Sequence, residues 1–304
     1  PGHRPGHAGH RRAGLNVPRS APAVMTERSI SFAGRSIALR WDDPAAAGFL
    51  DLLCTDLWAA HRAKPAGALR LLRADRDTYL LADGDIPLHL GPLDITMAAQ
   101  LFDAVIFRLL AGQASGLALH AGAVVRGGRV LLLPGQSGSG KSTLTAWLTS
   151  RGCSYLTDEL VLVPAEGELQ TLACTRPLCL KHGAAPIARD LLPPGQSVAL
   201  EDDQGLILPH RTLNPVFAPT TQAPALILFP AYRPGASLEG EPLSGARASA
   251  LLMTCNVNGR NLVGHGFPLV ARIARAVPAV RLVYGSFQGL DELLDRWLAT
   301  LPQP

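Results

Sequence analysis

The sequence predicts an α/β protein built around a glycine-rich loop, and three observations point to this class. Val130 to Leu133 is an apolar run of the kind that forms a buried strand. A glycine-rich turn follows it, and Ser142 to Ser150 then has the character of a helix. Asp158 and Glu159 interrupt the next apolar run. A strand, a glycine-rich loop and a helix in this order are typical of proteins that bind phosphate groups.

The glycine-rich turn fits the pattern G-x-x-x-x-G-K-[ST] at every fixed position. Its glycines let backbone N–H groups point inward at phosphate oxygens, and the helix N-terminus adds partial positive charge. Lys141 would reach the β- and γ-phosphates, and the Ser142 hydroxyl would ligate Mg²⁺. The pattern predicts a site for ATP and Mg²⁺; the alternative is a chance glycine-rich turn. The predicted binding residues are Gly135, Gln136, Ser137, Gly138, Ser139, Gly140, Lys141, Ser142 and Thr143.

Length and composition narrow the class of protein. The chain has 304 residues, of which 47% are hydrophobic and 17% charged, so it can bury a large core in one or two domains. A formal net charge of +4 does not indicate nucleic-acid binding. The five cysteines are scattered without C-x-x-C spacing, which favours reduced thiols in a cytoplasmic protein. The near neighbours Cys174 and Cys179 leave a metal site or disulfide as the alternative.

We predict three segments. Residues 1–24 are rich in Gly, Pro, Ala, Arg and His, so we expect a disordered tail, with the natural start at Met25 and metal binding by its histidines as an alternative. Residues 25–115 form a small α+β module, with a hairpin, a helix from Pro44 through Leu57, three short strands, and a long helix capped by Asp94. The apolar part of this last helix is too short, and too interrupted by charged residues, to span a membrane. Residues 116–304 form the phosphate-binding domain.

The two acids stand out within a predicted strand from Cys153 to Val163. Unpaired buried carboxylates are costly, so Asp158 and Glu159 need a partner, which a Mg²⁺ ion or a proton to abstract would supply. Adjacent residues on a strand point to opposite faces, so only one should face the γ-phosphate. A salt bridge at a strand end is the alternative.

Further along the chain, the pattern predicts alternating strands and helices around one irregular stretch. Lys181 ends a strand and would either approach the phosphates or acceptor or be solvated. Residues 193–219 contain several prolines and predict a mobile substrate loop, with Arg211 as a phosphate or peptide contact. Strands near 226–230 and 280–284 and helices near 249–253, 266–276 and 290–301 follow.

Several of these motifs together resemble a known family. His120-Ala-Gly122, the loop from Gly135 to Ser142, the short helix and Thr157-Asp158-Glu159 resemble the C-terminal catalytic domain of HPr kinase/phosphorylase. The chain is still more similar to the HPr-kinase-related kinases of bacterial biosynthetic clusters. The resemblance runs from about Leu117 to the end of the chain. It implies a compact phosphate-loop core, similar to that of phosphoenolpyruvate carboxykinase, and ATP-dependent phosphorylation of a serine in a peptide or small protein.

The resemblance also implies roles for single residues. Asp158 takes the first acidic position of the family and Glu159 the second, where the HPr enzymes have aspartate. His120 would lie beside the phosphate loop, where a cationic imidazole would stabilise the transferring phosphoryl group; from its position alone, a satisfied core histidine is the alternative. The predicted catalytic residues are Asp158, Glu159, His120 and Lys141, with Asp158 as the base, and Ser142 and Glu159 are the predicted metal ligands.

The predicted function is therefore an ATP-dependent serine kinase. Its partner would be a peptide or small protein, with no nucleic acid or membrane, and homo-oligomers are an open option. Two alternatives remain: a nucleotide-binding regulatory or scaffold protein with slow hydrolysis, and a small-molecule kinase.

Overall fold

The computed structural model describes residues 25–59 and 64–301, and within these ranges the chain is a mixed α/β protein with three sheets. The predicted tail, residues 1–24, lies outside the described residues. None of the helices in the described ranges has the length and apolarity needed to cross a membrane.

An N-terminal sheet has five strands in the order β1-β2-β3-β4-β5. Its neighbours are antiparallel except β2 and β3, which run parallel because a helix connects them. The predicted hairpin is confirmed, with Ala33 and Gly34 at φ values of 48° and 77° in its turn. The strands are β1 (Thr26–Phe32), β2 (Arg35–Trp41), β3 (Ala68–Asp75), β4 (Thr78–Asp83) and β5 (Ile86–Gly91).

Two capped helices cover this sheet. The first, α1, spans Pro44–Cys54, and the Asp43 carboxylate accepts hydrogen bonds from two backbone N–H groups at its start. It ends before Leu57, which the apolar spacing placed within the helix. The second, α2, spans Ile95–Leu110, and Asp94 accepts a 2.8 Å hydrogen bond from the third helical residue, as predicted.

The central sheet has eight strands, seven of them in the order β10-β9-β6-β7-β14-β16-β15, with β8 also paired to β6. Strands β7, β14 and β16 run parallel, so their carboxyl ends meet at one edge. The strands are β6 (Gly116–Arg126), β7 (Arg129–Pro134), β8 (Ser154–Thr157), β9 (Leu160–Pro164), β10 (Leu172–Ala173), β14 (Pro224–Tyr232), β15 (Glu239–Pro242) and β16 (Ala279–Tyr284).

Helices cover both faces of the central sheet. Along β7, Val130 and Leu132 pack toward α6 and α7, whereas Leu131 and Leu133 pack toward α3 and α8, and all four side chains are fully buried. This double coverage explains why the strand before the loop is a continuous apolar run. The helices are α3 (Lys141–Ser150), α6 (Gly245–Thr254), α7 (Phe267–Ala276) and α8 (Leu290–Thr300).

Two of the three strands of the third sheet lie where the sequence predicted an irregular loop, and the other is the strand predicted to end at Lys181. The strands of this sheet are β11 (Leu178–Lys181), β13 (Gly205–Leu208) and β12 (Leu200–Glu201), in the order β11-β13-β12. Two short helices flank it, α4 (Ala185–Asp190) and α5 (His210–Leu213). The prediction of an irregular stretch over 193–219 is therefore wrong in part. Two-residue and four-residue strands between Pro, Gly and acidic residues are too short to produce a periodic pattern.

The N-terminal segment packs closely on the rest of the chain. Leu160, Leu162 and Ile207 belong to the same buried cluster as the apolar faces of α1 and α2. Asp56 also accepts from Arg211 and lies 2.9 Å from the Nε2 atom of His210. Arg211, predicted as a phosphate or peptide contact, is instead engaged in this link. The domain boundary at residues 115 and 116 stays a prediction.

Candidate functional site

The glycine-rich loop joins β7 to α3 at the edge where β7, β14 and β16 end. Gly140 caps the helix with a φ of 91°, a left-handed conformation that favours glycine. A Cβ atom at Gly140 would lie 2.5 Å from the Tyr284 hydroxyl and 2.8 Å from the Tyr232 Cβ atom, so the position has no room for a side chain. Conformation and packing therefore both require glycine here.

The two tyrosines also hold the loop in place. The Tyr284 hydroxyl donates to the carbonyl of Gly140 at 3.1 Å, and the Tyr232 N–H donates to the carbonyl of Ser139 at 3.0 Å. Both tyrosines end strands that run parallel to β7. The sheet edge thus positions the loop from one side, which leaves the start of α3 open toward the other.

Lys141 is the first residue of α3 and is buried, with 6% of its surface exposed. Its ammonium donates a 2.8 Å hydrogen bond to the backbone carbonyl of Asp158. Burial lowers the pKa of Lys141 below its ordinary value, although the Asp158 and Glu159 carboxylates oppose this shift. A buried ammonium with one carbonyl partner has remaining donors for a phosphate group.

Asp158 and Glu159 lie at a bend between β8 and β9, not within one strand as predicted. Both strands pair with β6, and the two acids occupy the interruption. The Thr157 hydroxyl accepts hydrogen bonds from the N–H groups of Glu159 and Leu160 at 3.1 and 3.4 Å, which stabilises the bend. The rule that neighbours point to opposite faces does not apply to a bend, and both carboxylates pair with the same guanidinium, that of Arg176.

The environments of the two carboxylates differ. Asp158 is fully buried, and its two oxygens accept from the Tyr155 hydroxyl and from the backbone N–H of Cys179, each at 3.3 Å. The Glu159 side chain is 27% exposed and lines a cavity that Asp158 does not reach. Glu159 is therefore the acid with access to a bound molecule.

His120 is beside Glu159, with its Nε2 atom 3.5 Å from the Glu159 Oε1 atom. Burial and then the charge of Lys141 lower the pKa of His120, against the opposing effect of the two carboxylates. A lowered pKa favours the neutral imidazole, whereas the predicted role requires a cation. The negative charge of a bound triphosphate would act to raise its pKa.

Arg176 is the site residue that sequence reasoning missed. Its side chain is 10% exposed, and its guanidinium lies 3.4 Å from the Asp158 carboxylate, pairs with Glu159, and sits 4.9 Å from the ring centre of Phe102 on α2. The sequence does carry a signal for this residue, since Arg176 is a lone charge in an apolar stretch soon after two lone acids. A buried charge needs a partner, so this pattern indicates an ion pair.

Lys181 reaches the glycine-rich loop from β11. Its ammonium donates a 2.7 Å hydrogen bond to the Ser137 hydroxyl. Of the two predicted alternatives, this geometry favours the approach to the loop. A second cation therefore lies at the loop in addition to Lys141.

One cavity of about 940 Å³ joins these groups. Its loop wall is formed by residues 136–138 and 140–143, while Gly135 and Ser139 lie outside the lining. His120, Glu159, Arg176 and Lys181 also line it. Its α2 wall is formed by Ile95, Ala98, Ala99, Phe102, Asp103 and Ile106. Its aromatic end is formed by Trp147, Tyr232, Tyr284 and Phe287, where the Trp147 and Phe287 rings stack 4.9 Å apart.

Within the described ranges, no three His, Cys, Asp or Glu side chains cluster in a way that would hold an ion. Ser142 and Glu159, the predicted ligands, both line the cavity. Mg²⁺ is commonly held by one or two protein ligands together with substrate phosphates, and this sparse donor set fits that mode of binding.

Comparisons of the chain with known proteins found matches among solved structures. No family model matches it, and no curated protein matches it. Among solved structures, the HPr(Ser) kinase/phosphatase from Coxiella burnetii is similar over 60% of this chain and 93% of its own length. The identity is 12% and the TM-score 0.29, which is too low to support an argument about activity.

Proposed function

We propose that this protein is an ATP-dependent kinase that transfers the γ-phosphoryl group to a serine hydroxyl of a peptide or small protein. The observation that supports this most is the convergence of Lys141, Lys181, Glu159 and His120 on one cavity at the start of α3. Phosphoryl transfer depends mainly on positioning and on neutralising charge, and these groups supply both.

The donor would bind along the loop wall. Backbone N–H groups at the start of α3 would face the phosphates, and Lys141 would exchange its bond to the Asp158 carbonyl for a phosphate oxygen. Lys181 would add a second cation. The aromatic end offers a flat apolar surface for a nucleobase. Because that surface presents no side-chain amide, ATP is proposed from the phosphate-binding pattern and not from base recognition.

We assign the general base to Glu159, in place of Asp158, the base that the sequence predicted. A base must lie within reach of the acceptor hydroxyl, and of the two carboxylates only Glu159 lines the cavity. Asp158 would orient Arg176 through its contact with the guanidinium. Ser142 would hold Mg²⁺ together with phosphate oxygens, and the ion would supply charge neutralisation at the γ-phosphate.

One observation favours a second candidate, a nucleotide-binding regulatory protein with slow hydrolysis. Arg176 pairs with both carboxylates, and a carboxylate held by a guanidinium is a weaker base. In the kinase, the acceptor or nucleotide must displace Arg176 from Glu159. In the regulatory protein, Arg176 would stay in place.

The two candidates are separated by one assay. Purified protein is incubated with Mg·ATP labelled in the γ-phosphate and with serine-containing peptides, and peptide-bound and free phosphate are measured. A kinase transfers label to peptide faster than it releases phosphate. Release of phosphate alone, unchanged by any peptide, would contradict the kinase proposal. Lys141→Ala serves as the control, because neither product should form without the lysine.

A further inference from the structure

The α2 wall differs in chemistry from the rest of the cavity. Five of its six residues are apolar, and they recur along one side of the helix from Ile95 to Ile106. Because α2 rises about 1.5 Å per residue, this wall is about 16 Å long. An extended chain rises about 3.3 Å per residue, so the wall matches about five residues of extended peptide. A compact small molecule would leave most of it uncovered.

The wall leads directly to the proposed transfer site. Phe102 lies under the Arg176 guanidinium, which pairs with Glu159. At the far end, the backbone N–H of Ile95 donates to Asp202 at 3.2 Å, and this bond joins the start of α2 to the third sheet. Leu206 and Ile207 of β13 line the cavity as well. The result is a groove with an apolar lining that begins beside Glu159.

Asp103 is the single charged group on the α2 wall. It lines the cavity, and no hydrogen bond to it occurs among residues 25–59 and 64–301. Burial and the nearby charge of Glu159 raise its pKa, so the carboxylate would be stabilised by a donor from a bound molecule. The backbone N–H groups of an extended peptide are such donors.

We propose, on the basis of the kinase function above, that the acceptor is a flexible peptide segment bound in extended form along α2. The acceptor serine lies beside Glu159, a neighbouring apolar residue packs on Ala99 and Ile106, and Asp103 accepts a backbone hydrogen bond from the segment. The N-terminal module is then a substrate-binding element, and the acceptor is selected by an apolar residue next to its serine.

The test compares two tryptophan variants of α2. Ala99 is exposed on the cavity side, whereas Gln100 is exposed and lies outside the cavity lining. Ala99→Trp fills the groove, and Gln100→Trp adds the same bulk elsewhere on the helix. The probes are synthetic nonapeptides with a central serine flanked by leucine, lysine or aspartate, together with free serine and glycerol. Transfer is measured at saturating Mg·ATP, and Mg·ATP affinity is measured by calorimetry.

The leucine-flanked peptides should be phosphorylated with kcat/KM at least about 10-fold above the charged ones, the scale expected for burying one leucine. Ala99→Trp should raise the peptide KM about 10-fold, and Gln100→Trp should leave it unchanged. Both variants should keep the wild-type affinity for Mg·ATP. Asp103→Asn, a smaller change that adds no bulk, should lower kcat/KM several-fold.

Two results would overturn this inference while leaving the proposed kinase function intact. They are equal kcat/KM values for the leucine-flanked and charged peptides, and equal effects of the two tryptophan variants on the peptide KM. Failure to bind Mg·ATP, no transfer to any peptide, or transfer to free serine or glycerol in preference to peptides would instead overturn the proposed function itself, so the two failures are distinguishable.

Discussion

The loop wall and the α2 wall of the cavity are built in different ways. The loop wall comes from one short stretch between a strand and a helix, and its groups are backbone N–H donors, three hydroxyls, one amide and an ammonium. The α2 wall comes from an earlier helix that must pack on β9 and β13, and it is mostly apolar. Donor binding should therefore depend on local backbone geometry, whereas acceptor binding should depend on how the N-terminal segment docks. Substitutions on one wall should leave the other function intact.

The largest effect is expected at the loop wall, from Lys141→Ala. The ammonium is placed to contact phosphate in the ground state and the transition state, so we expect phosphoryl transfer to fall on the order of 10³-fold. The melting temperature should not fall, because removing a desolvated ammonium relieves a cost of burial. Single-turnover transfer, calorimetry with Mg·ATP and thermal unfolding measure the three quantities.

Lys181→Ala provides the matched control on the same wall. This lysine is exposed, and within the described ranges its ammonium hydrogen-bonds only to the Ser137 hydroxyl, so its loss should weaken nucleotide binding by much less. Near-normal transfer in Lys141→Ala, or equal effects of the two substitutions, would contradict the proposed role of the loop.

The two acids lie where the walls meet, and they provide the next largest effect. Glu159→Gln should lower transfer about 10²-fold and remove the acidic limb of the pH-rate profile, because the base is lost. Asp158→Asn should mainly lower stability, by about 1 to 3 kcal/mol, since it weakens buried bonds to Tyr155 and Arg176. Single-turnover rates between pH 5 and 8 and urea unfolding measure these effects.

The roles would be reversed if Asp158→Asn lost both the rate and the pH limb while Glu159→Gln kept them. If neither variant lost transfer rate, the two acids would have a structural role only. Their pairing with Arg176 would then explain why the bend tolerates two carboxylates. Mg·ATP affinity should be nearly unchanged in both variants. Any loss of transfer would then arise in the chemical step and not from weaker binding at the loop wall.

The same contrast explains which parts of the molecule could be predicted from the sequence. The hairpin, α2 with its Asp94 cap and the strand before the loop each follow from local spacing, because their signals lie within a few residues. The bend at Asp158 and Glu159 was read as a continuous strand. The Thr157 side chain that stabilises the bend gives no periodic signal.

The α2 wall could not be predicted because it depends on tertiary packing, whereas Arg176 had a local signal but no identified partner. Phe102 and Ile106 have the spacing of a core stripe, and only packing reveals that part of this stripe faces a cavity. The lone Arg176 signals that a charged partner is needed, but which acids it pairs with depends on how β8, β9 and β11 come together. Sequence reasoning therefore located the loop wall by its motif and had no means of locating the α2 wall.

The smallest effect is expected at Asp56, which docks the segment that supplies the α2 wall. Burial acts to raise the pKa of Asp56, but hydrogen bonds from His210 and Arg211 outweigh it and lower the pKa below 3.8. A lowered carboxylate pKa stabilises the fold above the unfolded-state value, and this stabilisation is lost as the pH falls through the folded-state value. Asp56→Asn should therefore lower the free energy of unfolding by about 1 kcal/mol at pH 7 and by progressively less below pH 4, measured by urea unfolding.

At pH 7, Asp56→Asn should also raise the peptide KM more than the Mg·ATP Kd. A stability difference independent of pH would show that the charge of Asp56 contributes nothing, and equal changes in both constants would show that the two walls are not separately supported.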